Sequence, residues 1–138
     1  MKRDKSDQYY VNRHSCFLLQ YHLVLVTKYR KSAITGELRE FLLDYTKNYF
    51  AEQDCVIMEI NACDDHIHIL FEAPPQINLA NFVNAFKSAS SRRVRNEYAE
   101  HLKQFYWEPL FWSLSYFVAS VSERSTAIVK EYIKKQND

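Results

Sequence analysis

With 138 residues, 47% of them hydrophobic and 15% aromatic, the chain has the material of one globular domain around one core. A net charge of +1 excludes a polycation, so attraction to a polyanion must come from local clusters, which stand at "TKYRKS" (27–32) and "SSRRVRNEY" (90–98). No apolar run approaches the roughly 18–20 residues of a membrane span and "MKRDKSDQYY" lacks the apolar segment of a signal peptide, which predicts a cytoplasmic protein with no membrane partner.

In chain order, "CFLLQYHLVLVT" (16–27) reads as one long central strand, in which Gln20 and His22 alternate with apolar residues before the run turns wholly apolar. A helix is predicted from Thr35, because Leu38, Phe41, Leu42, Tyr45 and Tyr49 recur at helical spacing. "CVIMEINAC" (55–63) and "HIHILFEA" (66–73) are strands around the pair Asp64-Asp65, a hairpin. Pro74 and Pro75 stop the second of them. A second helix follows, with Leu79, Phe82, Val83, Phe86 and Ser90 as its inward stripe and Arg92, Arg93 and Arg95 on its later turns. "SYFVASV" (115–121) reads as a fourth strand, and "STAIVKEYIKKQ" (125–136) as a terminal helix capped by Ser125 or Thr126. The three cysteines, Cys16, Cys55 and Cys63, are an odd number without CxxC spacing, which predicts free thiols in a reducing compartment.

That order, without repeat or linker, predicts a single domain over 1–138 of the α+β class: a ferredoxin-like (RRM-like) antiparallel sheet with two helices on one face, plus a C-terminal helix. That leaves the other sheet face free for a ligand or for something else to cover. Side chains alternate along a strand, so Ile67, Ile69 and Phe71 point to the core while His66, His68 and Leu70 point to that open face. Two imidazoles about 6 to 7 Å apart along the strand, from a rise of roughly 3.3 Å per residue, are close enough to share one metal ion. Cys63 lies an odd number of positions from His66 and would face the other way unless the turn redirects it.

On the terminal helix Tyr132 and Gln136 are four residues apart and share a face with Ile128. An ion on two imidazoles and an amide oxygen keeps positions open for a phosphate oxygen and water, a Lewis-acid site for phosphoryl chemistry with tyrosine as nucleophile. Spacing alone nevertheless favours two hydrogen-bonded surface histidines and a packing tyrosine.

"DDHIHILFEAPP" (64–75) resembles the HUH motif of the small single-tyrosine, IS200-like transposases of bacterial and archaeal insertion sequences. "HLVLVTKYRKSAI" (22–34), "FKSASSRRVRNEY" (86–98), "FWSLSYFVASVS" (111–122) and "VKEYIKKQ" (129–136) are similar to the other blocks of that family, in its order and over nearly the whole chain. The resemblance implies that His66 and His68 are metal ligands, that Gln136 is the third, and that the C-terminal helix carries the catalytic tyrosine, Tyr132. It further implies a Mg2+ or Mn2+ ion, single-stranded DNA with subterminal hairpins as partner, cleavage and rejoining through a 5′-phosphotyrosine, and a homodimer whose active sites are shared between subunits. Imidazole ligation suits manganese better than magnesium. Lys28, Arg30 and Lys31 leave the first strand where the family places DNA-binding residues, and Lys87, Arg92, Arg93 and Arg95 on the second helix are further candidates for phosphate contacts.

One feature departs from the family pattern. Relatives carry glycines before the tyrosine helix, whereas this chain reads "ASVSERST" and has Gly36 as its single glycine, which bears on how freely that helix swings. Two other readings compete: a domesticated HUH nuclease with a cellular DNA-processing role, and a non-catalytic RRM-like nucleic-acid-binding module. The aromatic signature of the latter is absent from the third strand, where the outward positions are His66 and His68.

Overall fold

The computed structural model describes residues 4–6, 9–11, 15–122 and 125–135, so Gln136 lies outside the described residues. The elements are β1 (Asp4–Ser6), β2 (Tyr9–Val11), β3 (Cys16–Phe17), β4 (Gln20–Val26), a 3-10 turn at Lys28–Arg30, α1 (Gly36–Glu52), β5 (Val56–Ala62), β6 (His66–Glu72), α2 (Leu79–Glu97), α3 (Ala99–Leu102), β7 (Phe117–Ser120) and α4 (Ser125–Lys135).

Four strands form the main sheet in the order β5-β6-β4-β7, and every neighbouring pair is antiparallel. With α1 between β4 and β5 and α2 between β6 and β7, the chain follows the strand, helix, strand, strand, helix, strand order expected from its periodicity. The start of α1 is set by the backbone: Gly36 has φ of 59°, a conformation that favours glycine, and Thr35 before it is extended. Asn78 caps α2, its side chain accepting from the Asn81 amide at 3.1 Å.

One face of the sheet carries the core. Leu23, Leu25, Ile67, Ile69 and Phe71 meet Leu38, Leu42 and Phe50 of α1 and Phe82, Val83 and Phe86 of α2. Phe50 is edge-on to Phe71 at 5.0 Å and to Phe82 at 4.9 Å, the arrangement that aromatic quadrupoles favour. The buried stripe of α1 is thus Leu38, Leu42, Thr46 and Phe50, with Phe41, Tyr45 and Tyr49 flanking it, one step round the helix from the predicted stripe.

Three further differences from the sequence reading bear on the site. The apolar run 16–27 is two strands, because Cys16–Phe17 leaves the main sheet to pair with Tyr9–Val11 in a separate three-stranded sheet. There Tyr10 stacks on Phe17 at 5.5 Å, and its hydroxyl donates to Glu72, a carboxylate only 1% exposed that also accepts from Gln20 Nε2 at 2.8 Å. The second sheet face is not open: Val24 and Val26 form a cluster with Val129 of α4, flanked by Phe117, Tyr132 and Ile133. Finally, the inward residue of α4 is Val129, while Ile128 is 43% exposed, so Tyr132 shares its face with Val129. Cys16, Cys55 and Cys63 are free thiols, as expected.

Candidate active site

The register fixes where the histidines point. His66 pairs with Val26 and His68 with Val24, and directly paired residues share a face, so both histidines project on the side that α4 covers. His22, paired with Leu70, projects there too.

Each imidazole is held by one nitrogen. His66 Nδ1 lies 2.8 Å from Asp65 Oδ1, and because an ionised carboxylate only accepts, that nitrogen carries a proton, which in the neutral ring leaves the lone pair on Nε2. The other Asp65 oxygen, Oδ2, accepts from Arg30 Nε at 3.1 Å and Nη2 at 2.9 Å. Burial raises the Asp65 pKa, but the hydrogen bonds from His66 and Arg30 and the Arg30 charge outweigh it and hold the carboxyl below its usual range. His68 Nε2 lies 2.9 Å from His22 Nδ1, with the rings stacked at 5.1 Å between centroids. Burial lowers the His68 pKa, the neighbouring His22 and His66 push the same way, and Glu59 opposes them. Burial of His68 thus favours its neutral form, the form in which imidazole ligates a metal. Among the described residues no hydrogen bond reaches the second nitrogen of either ring.

The hairpin turn is pinned by the segment after β4. The Thr27 amide donates to the Asp65 carbonyl at 2.9 Å, the Ile34 amide to the Asp64 carbonyl at 2.8 Å, and Thr27 Oγ1 to both the Asp65 and Lys31 carbonyls. Tyr29 and Arg30 have φ of 57° and 52°, left-handed backbone that a non-glycine residue adopts at a cost of about 1–3 kcal/mol and that clusters at functional sites. Tyr106 donates to the Lys28 carbonyl at 2.7 Å, and burial pushes its phenol up to about 12. The strained turn is thereby held in the shape that presents Arg30 to Asp65.

Tyr132 stands on α4 above β4. Its ring meets Phe117 at 5.2 Å and its hydroxyl lies 3.2 Å from Ser115 Oγ, on the β7 side of β4, whereas the histidines lie on the β6 side. Arg30 Nη1 reaches the Lys134 carbonyl at 3.5 Å, which ties the last turn of α4 to the carboxylate and histidine cluster. Among the described residues no three His, Cys, Asp or Glu side chains converge on one point. Two imidazoles, one of them backed by a carboxylate, are a donor set that suits a divalent ion.

The basic residues divide. Lys28 and Lys31 stand at the end of β4, with Lys28 Nζ 5.2 Å above the Tyr29 ring, while Arg30 is committed to Asp65. Arg92, Arg95 and Lys87 line a groove between α2 and the segment 109–114, together with Ser88 and Ser91 and with no carboxylate among its lining residues. Lys87 also donates to the carbonyls of Ser113 and Leu114 at 2.8 and 2.9 Å. Arg93 faces α1, over the rings of Phe41 and Tyr45 and bonded to Glu97 at 3.0 Å. Sequence reasoning gave no part to His22, Asp65 or Ser115. Asp65 had left only a turn signal and His22 its even spacing from Val24 and Val26, and the register was needed to bring His22 beside His68.

Comparison with known proteins agrees with the geometry. The sequence profile described as "Transposase IS200 like" matches residues 15–136. The ISDra2 transposase TnpA of Deinococcus radiodurans is 34% identical over 122 residues, covering 88% of this chain and 86% of that one. The transposase for insertion sequence element IS200 of Salmonella typhimurium is 32% identical over 123 residues, covering 89% and 80%. A crystal structure of a candidate transposase from D. radiodurans superposes with a TM-score of 0.84 at 33% identity, over 92% of this chain and 97% of the other. A REP-associated tyrosine transposase bound to a REP hairpin shares the fold, with a TM-score of 0.55 at 10% identity over 90% and 74%. With the profile spanning nearly the whole chain and the relatives matched over most of their length, the chain belongs to the IS200-like transposase family.

Proposed function

We propose that this transposase cuts and rejoins single-stranded DNA at the ends of an insertion sequence, with Tyr132 as nucleophile. The Tyr132 oxygen bonds to the scissile phosphorus as the bond from phosphorus to the 3′-oxygen breaks. The phenol gives up its proton, the departing oxygen gains one, and a 5′-phosphotyrosine and a free 3′-hydroxyl result. A second 3′-hydroxyl then attacks the phosphotyrosine and releases Tyr132. The phosphodiester energy is conserved throughout, so no nucleotide cofactor is required.

The observation that supports this reading is the shared face: two histidines, each with one ring nitrogen hydrogen-bonded, beneath the helix that carries Tyr132. His66 and His68, with Gln136 as third ligand, would hold Mg2+ or Mn2+, which when bound neutralises charge building on the scissile phosphate. Asp65 keeps the His66 proton on Nδ1, and Arg30 keeps Asp65 ionised. Lys28 and Lys31 and the groove of Lys87, Arg92 and Arg95 would grip phosphates of the flanking strand and the hairpin, and Arg93, over the rings of Phe41 and Tyr45, stands apart from that groove. On this reading the protein works in the cytoplasm on the nucleoid, as a homodimer with sites shared between subunits.

The test is cleavage of a labelled hairpin with single-stranded flanks, beside a fully duplex version of the same sequence. Only the flanked hairpin should be cut, in Mn2+ or Mg2+ and not in chelator, with binding that weakens steeply as salt rises. His66→Ala and His68→Ala should abolish cutting. Equal cutting of the duplex, or full activity of His68→Ala in chelator, would sink the reading.

A further inference from the structure

His22 is buried to 8% exposure, comes from a different strand than the HUH pair, and spends its Nδ1 on His68 Nε2 at 2.9 Å. A hydrogen bond between two imidazole nitrogens needs one N–H and one lone pair, so only two arrangements exist. If His22 donates, His68 Nε2 accepts, its proton sits on Nδ1, and neutral His68 has no lone pair left for a metal. If His68 donates from Nε2, His22 Nδ1 accepts and His68 Nδ1 keeps its lone pair. His66 shows the same logic with a different partner, since its Nδ1–H donates to Asp65, which in the neutral ring leaves the lone pair on Nε2.

We infer that His22 is a positioning residue for the metal site: it accepts the Nε2 proton of His68, so fixing the tautomer in which His68 presents Nδ1 as a ligand. This rests on the reading of His66 and His68 as metal ligands. The sheet supplies the rigidity, because His22 and His68 lie on adjacent, register-locked strands with their rings stacked at 5.1 Å. The arrangement matches a general rule: a ligating histidine is oriented by whatever receives its other ring proton, and loss of that acceptor weakens metal binding by about 10- to 100-fold. Asp65 fills this role for His66 and His22 fills it for His68, one from the turn and one from the neighbouring strand.

Two substitutions separate the acceptor from the ring. His22→Asn sets an amide oxygen where Nδ1 stands and keeps the acceptor. His22→Phe keeps the stacking and the bulk and removes it. Mn2+ binding to the full-length, DNA-free protein, followed by electron paramagnetic resonance of the free ion, should be within about threefold of the parent for His22→Asn and weaker by about 10- to 100-fold for His22→Phe. Long-range proton–nitrogen NMR of the metal-free parent should show His68 protonated on Nε2, a readout that holds even if His22→Phe does not fold. Parent-like Mn2+ binding by folded His22→Phe, equal losses in both variants, or an Nδ1–H tautomer of His68 would each overturn the inference. His68→Ala is the control that separates the two levels. If it binds Mn2+ as tightly as the parent, the metal-site reading itself fails, whereas loss in His68→Ala without loss in His22→Phe removes only the role of His22.

Discussion

Asp65 shows how much one turn residue controls. It closes the β5–β6 hairpin, accepts a hydrogen bond from His66 Nδ1, and is itself held by an arginine whose backbone is left-handed. The aspartate pair was legible as a turn signal, but its second role was not, because Arg30 lies thirty-five positions away and meets it only through the strained segment after β4. His68 carries the measurable consequence. Its pKa is lowered from 6.5, chiefly by burial, so at mildly acidic pH the unfolded chain binds a proton there that the folded chain refuses. The contribution is fully present above about pH 6.5 and is lost as pH falls through the folded value. Metal-free protein should therefore show a falling urea midpoint across that window, with a shallower fall in His68→Asn. Identical pH profiles for the two would contradict the assignment.

Among the elements, α4 and β7 decide how the site is assembled. β7 stands at an edge of the four-stranded sheet, its sequence Phe117–Ser120 is uncharged, and such edges invite pairing with a second copy. In its own chain α4 brings the Tyr132 hydroxyl to Ser115, across β4 from the histidines. Sharing between subunits would let the tyrosine of one chain serve the histidines of the other. Mixing settles it: His66→Ala and Tyr132→Phe are each expected to be inactive, and subunit exchange should restore one working site per mixed dimer. No recovery despite demonstrated exchange would mean that each chain supplies its own tyrosine. The elements themselves were mostly legible, because Leu, Phe and Val recur at helical and strand spacing wherever one face is buried. The run 16–27 misled because an apolar stretch carries no mark of the point where a chain changes sheets; that point is set by Tyr10 stacking on Phe17 from outside the run. The inner face of α4 was misassigned for a related reason, since Ile128 and Val129 are equally apolar and only docking on Val24 and Val26 selects Val129.

For the molecule as a whole, a net charge of +1 conceals an uneven surface. Arg93, one of a run of similar arginines in the sequence, packs on aromatic rings, while Arg92 and Arg95 line a groove without carboxylates. Sequence placed all of these on one helix; only the fold divides them by face. The sheet then brings three histidines from two strands and a tyrosine from the last helix to one face, and the most direct test of what they do is chemical. A hairpin with single-stranded flanks is incubated with Mn2+ and the full-length protein, the covalent product is digested, and the modified peptide is sequenced by mass spectrometry. The expected result is a 5′-phosphotyrosine at Tyr132, absent from Tyr132→Phe while that variant still binds the hairpin. An adduct at Tyr116 or any other residue, or cleavage that leaves no covalent intermediate, would contradict it.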